Sequence, residues 1–406
     1  MGRSLVCGRG ARAAVTVDVV ALLALGTSGL SAALYLLAWW RAPREEGELL
    51  AHEPQPLRDT VVVVIPARNE VDDLPATLDA LLANAADPVE VFVFDDDSDD
   101  GTADVVRLRA ADDKRLHLLQ PADVPADLQQ PDDVFGKPWA QHRALHAVWQ
   151  RRQRRDEPLL LLDADVVVEP GALGGALHLL NDHSLAAVSG SPKMVCQSAI
   201  EETLVPAFVS LVAVSHPPRR VNDPDDDDVF LNGQFILVRG AALDDVGGFS
   251  QVWHTILEDV ALARVLHAAG HPVAMADLRR AASTRMYTSW PEIRDGFGKN
   301  AVDVHGGVGR TLRLAALSLA LSWLPWTSLA TVWATAPSTW SAACATLLFA
   351  ATLAAQGSVR RRLGHTALTA AVLPAVYVAV AWVLAGAAVN RWRKGSVQWK
   401  GRTYQA

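Results

Sequence analysis

Apolar residues are concentrated before residue 41 and after residue 311 of this 406-residue chain. Residues 19–40 form a run of 22 positions without a charged side chain, which matches the ~20 residues that an α-helix needs to cross a bilayer core. The run ends in Trp39, Trp40 and Arg41, an aromatic and basic anchor typical of a membrane interface. A cleaved signal peptide would have a shorter apolar core followed by a cleavage site. We therefore predict a retained membrane anchor over residues 1–41.

Three further apolar segments follow the central part of the chain, at residues 314–333, 338–356 and 367–389. Each is long enough to cross a bilayer, so residues 311–390 are predicted to be a membrane region with a basic tail, 391–406, after it. Basic loops tend to stay in the cytoplasm. If all three segments crossed the membrane, the basic cluster at residues 360–362 and the basic tail would lie on opposite sides of the bilayer. Two interpretations stay open. The last segment enters and leaves the bilayer on the same side, bent at Pro374, or one of the two basic clusters lies outside the cytoplasm.

The residues between these ends alternate short apolar runs with segments of helical spacing. Continuous apolar runs, typical of strands buried on both faces, cover residues 60–65, 89–94, 116–119 and 158–162. Helical spacing covers residues 74–82, 102–110 and 139–149. This alternation predicts an α/β domain over residues 60–310, with a mostly parallel, Rossmann-like sheet between two layers of helices. Residues 42–59 lack periodicity and are predicted to be a linker.

Charge and cysteine content exclude some classes of function. The net charge is −8 and no basic stripe crosses the central part, so a nucleic-acid partner is excluded, because phosphate binding needs clustered Lys and Arg. Cys7, Cys196 and Cys344 are far apart and lack metal-ligand spacing. A chain without a disulfide framework suits a catalytic domain in a reducing cytoplasm.

Polar motifs follow three of the predicted strands. They are Pro66-Ala67-Arg68-Asn69-Glu70, the acidic run from Asp95 to Asp100, and Asp163-Ala164-Asp165. In sheets of this class, ligands bind at the carboxyl ends of the strands. One Asp-x-Asp motif is common by chance, but three acidic motifs at successive strand ends are far more specific.

In this order the motifs resemble those of the family 2 glycosyltransferases, which have the GT-A-type nucleotide-diphosphosugar transferase fold, over about residues 60–300. The resemblance implies a nucleotide-sugar site at the three strand ends. It assigns Mg²⁺ or Mn²⁺ to Asp165, where a hard cation would neutralise the diphosphate. The residues that it assigns to the nucleotide sugar are Pro66, Ala67, Glu70, Asp95, Asp96, Asp163 and, in a glycine-lysine step, Lys137.

A second landmark is Glu258-Asp259, which precedes four apolar residues at helical spacing. The resemblance implies that this pair is catalytic. Asp259 would take the proton from the acceptor hydroxyl, with inversion at the anomeric carbon. Two acidic residues also stabilise a helix N-terminus, and both interpretations can hold, since a helix start is a rigid mount for a base.

Processive members of the family have a Gln-x-x-Arg-Trp motif downstream of this landmark, and this chain lacks it there. Arg285-Met286-Tyr287 and the segment at residues 296–300 instead resemble the carotenoid- and hopanoid-associated branches, and Lys299 is expected to reach the diphosphate. The resemblance implies transfer of one sugar, by analogy glucose from UDP-glucose, to a hydroxyl of a carotenoid or other isoprenoid lipid. The enzyme is expected to be a multi-pass membrane protein with a cytoplasmic catalytic domain.

Several alternatives stay open. A polyprenyl phosphate or a glycerolipid could be the acceptor, and a processive polysaccharide synthase is a third possibility. A sugar nucleotidyltransferase shares the fold class, but its Gly-x-Gly-Thr-Arg segment is not present at residues 66–70. A catalytically inactive membrane scaffold is the non-enzymatic alternative. It gives no reason for acidic residues at successive strand ends.

Overall fold

An eight-stranded sheet forms the centre of the α/β domain in the computed structural model. The structure describes residues 49–125, 128, 134, 136–152, 155–335, 339–362, 366–394, 396–399 and 402–405, with parts of 22–41. The strands are β1 Leu50–Ala51, β2 Val61–Ala67, β3 Val89–Asp95, β4 Leu116–Leu119, β5 Pro158–Leu162, β6 Val166–Val168, β7 Ala187–Gly190, β8 Lys193–Met194, β9 Phe235–Arg239, β10 Val273–Asp277, β11 Ala282–Thr284, β12 Ser396–Trp399 and β13 Arg402–Gln405.

The order of strands in the large sheet is β1-β10-β7-β9-β5-β2-β3-β4. Neighbours are parallel except where β9 pairs with β5 and with β7. The predicted α/β class with a mostly parallel sheet is therefore confirmed. Strands β6, β11 and β8 form a second, three-stranded sheet, and β12 and β13 form a hairpin.

Helices cover both faces of the large sheet. The α-helices are α1 Leu74–Leu82, α2 Thr102–Asp112, α3 Gly136–Arg152, α4 Ala172–Asp182, α5 Ala199–Ser215, α6 Pro218–Val221, α7 Gly240–Asp245, α8 Glu258–Ala268, α9 Trp290–Val304, α10 Val308–Ala334, α11 Thr339–Arg362 and α12 Leu373–Lys394. One apolar core packs α1, α2 and α4 on one face, and a second packs α3, α7 and α8 on the other. Successive side chains along a strand point alternately into the first and the second core, as expected for strands buried on both faces.

The segment predicted to be a linker also takes part in the fold. Its residues Leu50 and Ala51 form the edge strand β1, parallel to β10. The chain after β1 lies so close to α4 that a Cβ atom at Gly174 would be 2.1 Å from the Gln55 carbonyl oxygen. Such contact between a backbone and a helix depends on glycine, which sequence periodicity does not reveal.

Three helices, spanning Val308–Ala334, Thr339–Ser358 and Thr369–Arg393, are long and apolar enough to cross a membrane. They correspond to the three apolar segments predicted after the α/β domain. The predicted anchor at residues 1–41 lies partly outside the described residues. In its described part, Ala24 packs in one cluster with Val332 and Ala345, and the Thr27 hydroxyl lies 3.0 Å from that of Ser328.

Candidate active site

The polar motifs predicted at strand ends meet at one edge of the sheet. Ala67 and Asp95 are paired at the ends of the neighbouring strands β2 and β3, and β5 pairs with β2 on its other side. The Asp163 backbone N–H, directly after β5, donates to the Gln234 carbonyl at 3.2 Å. The parallel arrangement therefore gathers motifs that are up to about a hundred residues apart in the chain, as the carboxyl-end rule for such sheets requires.

Part of the acidic run after β3 has a structural role. The backbone N–H of Glu70 donates to the Thr102 hydroxyl at 2.9 Å, and that of Val71 donates to Asp100 Oδ2 at 3.1 Å. Asp100 also accepts from the Thr102 N–H, at the first residue of α2, at 2.9 Å. These bonds join the loops that follow β2 and β3. They fix the position of Glu70 at the predicted nucleoside pocket.

Asp95 and Asp96 are both buried and have different partners. Asp95 accepts hydrogen bonds from the Ser98 N–H at 3.3 Å and from Gln120 Nε2 at 3.2 Å. Asp96 forms an ion pair with Arg143 of α3, whose guanidinium carbon lies 5.0 Å from the centre of the Phe94 ring. The sequence did not single out Arg143, because an arginine inside a helix carries no motif signal.

Lys137, at the start of α3, joins two of the predicted site residues. Its Nζ lies 2.6 Å from Asp163 Oδ1 and 3.3 Å from Glu258 Oε1. Burial alone would lower the pKa of Lys137, but the charges of Asp163 and Glu258 outweigh burial and raise it well above its usual range. Lys137 is therefore a fixed positive charge between β5 and the start of α8.

Asp259 lies in the first turn of α8, beside Glu258. Its Oδ2 accepts the Gly233 N–H at 2.7 Å, and its Oδ1 accepts the Val260 N–H at 2.8 Å. The pKa of Asp259 is raised to about 6, because burial and the charge of Glu258 outweigh the opposing effects of Lys137 and of the two N–H donors. A carboxylate with a pKa near the working pH is suited to act as a general base.

Asp165, the predicted metal ligand, accepts a hydrogen bond from the Thr284 hydroxyl at 3.0 Å. The pKa of Asp165 is raised to about 7, because burial and the charges of Asp163 and Glu70 outweigh the lowering effects of the Thr284 bond and of Lys137. Thr284 lies in β11, and no motif in the sequence pointed to it. Crowded carboxylates of this kind favour a bound cation, which changes the local balance of charge.

The donor set fits Mg²⁺ or Mn²⁺ bound together with a diphosphate. Within the described ranges, no group of three or more His, Cys, Asp and Glu side chains is placed to hold a metal ion. Magnesium is commonly held by one or two carboxylates plus substrate phosphate oxygens. Asp165 with its neighbour Asp163 meets that requirement, and the other ligands would come from the substrate and from water.

A cavity of about 350 Å³ connects this site to apolar helices. Five predicted site residues line it: Lys137, Asp163, Glu258, Asp259 and Lys299. Its apolar wall comes from α5, α9 and α12 and includes Phe208, Val212, Phe297 and Leu384. Pro66, Ala67, Glu70, Asp95, Asp96 and Asp165 are not among the lining residues. Another cavity, of about 470 Å³, lies between β1 and α4 and contains none of the predicted site residues.

Comparisons with known proteins place the chain in a family. The family model described as glycosyltransferase like family 2 matches residues 58–304. Over 59 residues the chain is 44% identical to undecaprenyl-phosphate mannosyltransferase of Micrococcus luteus. That match covers 14% of this chain and 24% of the relative, so it spans about a quarter of the relative's length.

Two solved structures are similar at low sequence identity. Mannosyltransferase PcManGT from Pyrobaculum calidifontis, in complex with GDP-Man and Mn²⁺, has a TM-score of 0.49 and 20% identity, covering 93% of this chain and 99% of that one. Glucosyl-3-phosphoglycerate synthase from Mycobacterium tuberculosis, in complex with phosphoglyceric acid, has a TM-score of 0.40 and 17% identity, covering 65% and 88%. The family model covers more than half of the chain, including all three acidic strand ends and the Glu258-Asp259 pair. This chain therefore belongs to glycosyltransferase family 2.

Proposed function

We propose that the enzyme transfers one sugar from a nucleotide diphosphate donor to a hydroxyl of a membrane lipid, with inversion and with help from a divalent metal. The observation that carries this proposal is the cavity of about 350 Å³. Its polar end holds Asp163, Lys137 and Asp259, and its apolar end is bounded by Leu384 of the long apolar helix α12. A site with one charged end and one apolar end fits a lipid that presents a single hydroxyl to a sugar donor.

The donor would bind at the carboxyl ends of β2, β3 and β5. The nucleoside would lie against Pro66, Ala67 and Glu70, beside the Asp96–Arg143 ion pair. Asp165 and Asp163 would hold Mg²⁺ or Mn²⁺, which supplies positive charge to the diphosphate as it leaves. Two lysines, Lys137 and Lys299, line the cavity and would add positive charge for the diphosphate.

Asp259 would act on the acceptor. It accepts the hydroxyl proton while the acceptor oxygen bonds to the anomeric carbon. The bond from that carbon to the diphosphate oxygen breaks on the opposite face, and the nucleoside diphosphate leaves with the electron pair. The Gly233 and Val260 N–H groups hold the Asp259 carboxylate in place for this step, at 2.7 and 2.8 Å.

The donor proposed is UDP-glucose, because the segments at residues 285–287 and 296–300 resemble the carotenoid- and hopanoid-associated branches. The acceptor class proposed is a carotenoid or another isoprenoid alcohol. Turnover with UDP-glucose and with GDP-mannose, measured in the same membranes, tests the choice of donor. Faster transfer of mannose would contradict it.

A polyprenyl phosphate is the second candidate acceptor, and the 44% identity with undecaprenyl-phosphate mannosyltransferase over 59 residues favours it. The two acceptors need different chemistry. A hydroxyl must lose a proton as it attacks, whereas a phosphate is already an anion and needs nearby cations instead. The product distinguishes them: a glycosyl phosphate is cleaved by mild acid, and an ordinary glycoside survives. A product that mild acid cleaves would show that the acceptor is a polyprenyl phosphate.

A larger side chain in the apolar part of the cavity should weaken binding of the lipid acceptor without affecting binding of the donor. Val212 of α5 lines the cavity, and Val214, two residues on, has a 66% exposed side chain outside it. Val212→Trp is expected to raise the lipid KM about 10-fold or more by filling the space an acceptor chain needs, with donor affinity unchanged. Val214→Trp is the matched control. Equal effects of the two variants on the lipid KM would contradict the assignment of the cavity.

We also propose that α10 and α11 cross the membrane and that α12 does not. Arg360, near the end of α11, donates to the Glu202 and Thr203 carbonyls of the catalytic domain at 3.2 Å each. Arg391, near the end of α12, donates to Asp303 of α9 at 2.7 Å. Both ends of the segment between them therefore contact the catalytic domain.

The start of α12 supports the same topology. Trp323 Nε1 donates to the Pro374 carbonyl at 3.2 Å, and Trp323 is roughly 22 Å along α10 from Val308 at 1.5 Å per residue. The Thr369 hydroxyl still accepts a hydrogen bond from Arg360 at 2.9 Å, so the chain would enter the apolar layer after Thr369 and return along α12. Both basic clusters then lie on the side of the catalytic domain, which makes that side the cytoplasmic one by the rule for basic loops. This favours the first of the two interpretations left open by the sequence.

Cysteine labelling in intact cells tests this topology. In a background without Cys7, Cys196 and Cys344, single cysteines would be placed at three exposed positions by Thr339→Cys, Arg361→Cys and Arg393→Cys. An impermeant maleimide is expected to label only the first before permeabilisation, because Thr339 starts α11 on the far side. Labelling of Arg393→Cys in intact cells would show a third crossing and contradict the proposal.

A further inference from the structure

Tyr287 lies in the candidate active site, and none of the site interactions described above involves its hydroxyl. Tyr287 follows β11, and its side chain lines the cavity beside Lys137 and Asp163. Its ring packs edge-on against Phe297, with 5.3 Å between ring centroids and 74° between ring planes. In the described part of the chain, the Tyr287 hydroxyl makes no hydrogen bond to protein. Tyr287 is half-buried, and a hydroxyl that faces a cavity without a protein partner is available to donate to a bound molecule.

The surroundings keep this phenol protonated. An ordinary phenol has a pKa of about 10 and is protonated at neutral pH, and burial raises the pKa of Tyr287 above that range. The hydroxyl is therefore a permanent hydrogen-bond donor in the cavity that Lys137 and Asp163 also line. It can approach an anion there at no cost in charge repulsion.

Gly296 of α9 provides the space for the ring. A Cβ atom at this position would lie 2.1 Å from Cζ of Tyr287 and 2.4 Å from its hydroxyl oxygen. Glycine inside a helix is unfavourable relative to alanine. Its presence at position 296 is explained by the Tyr287 ring, which occupies the space that a Cβ atom would need. The chain is also fixed two residues before Tyr287, where Arg285 donates to both carboxylate oxygens of Glu201, at 2.8 and 3.0 Å.

We propose that Tyr287 donates a hydrogen bond to a diphosphate oxygen of the donor, and that Gly296 is required to seat it. The inference rests on the proposed function only in taking Asp163 and Asp165 as the diphosphate end of the cleft. The diphosphate gains negative charge as the glycosidic bond breaks, so this bond strengthens in the transition state. Tyr287 therefore raises kcat more than it lowers the donor KM.

Tyr287→Phe is the primary test, because it removes the hydroxyl and keeps the ring. Release of nucleoside diphosphate is measured in membranes, with the lipid acceptor and also with water alone as acceptor. We expect kcat to fall about 10-fold or more in both assays, with the donor KM and thermal stability near those of the parent. A purely structural tyrosine would leave kcat unchanged, because its hydroxyl has no protein partner to lose.

Two alanine variants of α9 form a matched pair. A Cβ atom at Gly296 would collide with the Tyr287 ring, whereas one at Gly298 would meet only Val383 Cγ1, at an ordinary 3.6 Å. Gly296→Ala is expected to lose at least as much kcat as Tyr287→Phe, and Gly298→Ala to stay near the parent. Adding Tyr287→Phe to Gly296→Ala should cost little more, because both changes remove the same donor.

The outcomes separate this inference from the proposed function. Parental kcat in Tyr287→Phe overturns the inference, and so does a raised lipid KM with unchanged kcat, which would assign the hydroxyl to the acceptor. If Gly296→Ala fails to fold, Tyr287→Phe decides alone. A parent that releases nucleotide but forms no glycolipid contradicts the proposed function, while the assay with water still measures the effect of Tyr287.

Discussion

Asp259→Asn is expected to lower turnover by ~10²-fold or more while donor affinity stays near that of the parent. Asparagine has almost the same size and can still accept the Gly233 N–H bond that Asp259 accepts at 2.7 Å. It cannot accept the proton of the acceptor hydroxyl. The measurement is single-turnover transfer to lipid together with donor binding, and near-parental transfer would show that the base is elsewhere.

Stability and pH dependence are the controls for this variant. The pKa of Asp259 is raised to about 6, mainly by burial, so its ionised form opposes folding above that pH. Asparagine removes this cost but keeps only one of the two acceptors for the Gly233 and Val260 N–H groups, so Asp259→Asn should unfold near the temperature of the parent. Parental kcat should fall as the pH falls through about 6, because the base becomes protonated. The residual activity of Asp259→Asn should not show this decrease near pH 6. If the variant still shows it, the decrease arises from another titrating group.

Asp165→Ala is expected to abolish activity almost completely. The change removes the carboxylate that would hold the metal, and the diphosphate then leaves without compensation of its charge. Excess chelator should inactivate the parent in the same way, and Mn²⁺ or Mg²⁺ should restore the parent but not the variant. Full turnover of the parent in excess chelator would refute the assignment.

Thr284→Val provides a graded control for the metal site. It removes the hydroxyl that donates to Asp165 at 3.0 Å and keeps the carboxylate. Loss of a partner that orients a metal ligand costs about 10- to 100-fold in metal affinity. The variant should therefore recover activity at raised metal concentration, in contrast to Asp165→Ala. Failure to recover would mean that Thr284 acts on the fold rather than on the metal site.

Local patterns predicted the elements whose formation depends on adjacent residues. The observed bounds of α1, β4 and β5 equal the predicted ranges, and β2 and β3 extend a little further at one end. In each, a continuous apolar run or a helical spacing is sufficient to identify the element. Strand pairing is different, because it joins distant residues. The antiparallel insertion of β9 between β5 and β7 and the edge strand β1 have no local signal.

The same distinction applies to the site. Carboxylates at strand ends were predictable, because the fold class places strand ends together. Arg143 and Thr284 were not, since each contacts its carboxylate partner across 47 and 119 residues of chain. The contacts of Arg360 and Arg391 with the catalytic domain also join distant residues, 158 and 88 positions apart. The basic clusters alone left the path of the last apolar segment open.

The most direct test of the central claim follows the sugar into lipid. Membranes that contain the enzyme are incubated with radiolabelled nucleotide sugar and extracted with organic solvent, with Asp259→Asn and Asp165→Ala membranes as blanks. The proposed function predicts label in the organic phase, in a single glycolipid that is absent from both blanks. Label confined to water-soluble or high-molecular-weight polymer would contradict it and would favour a processive synthase.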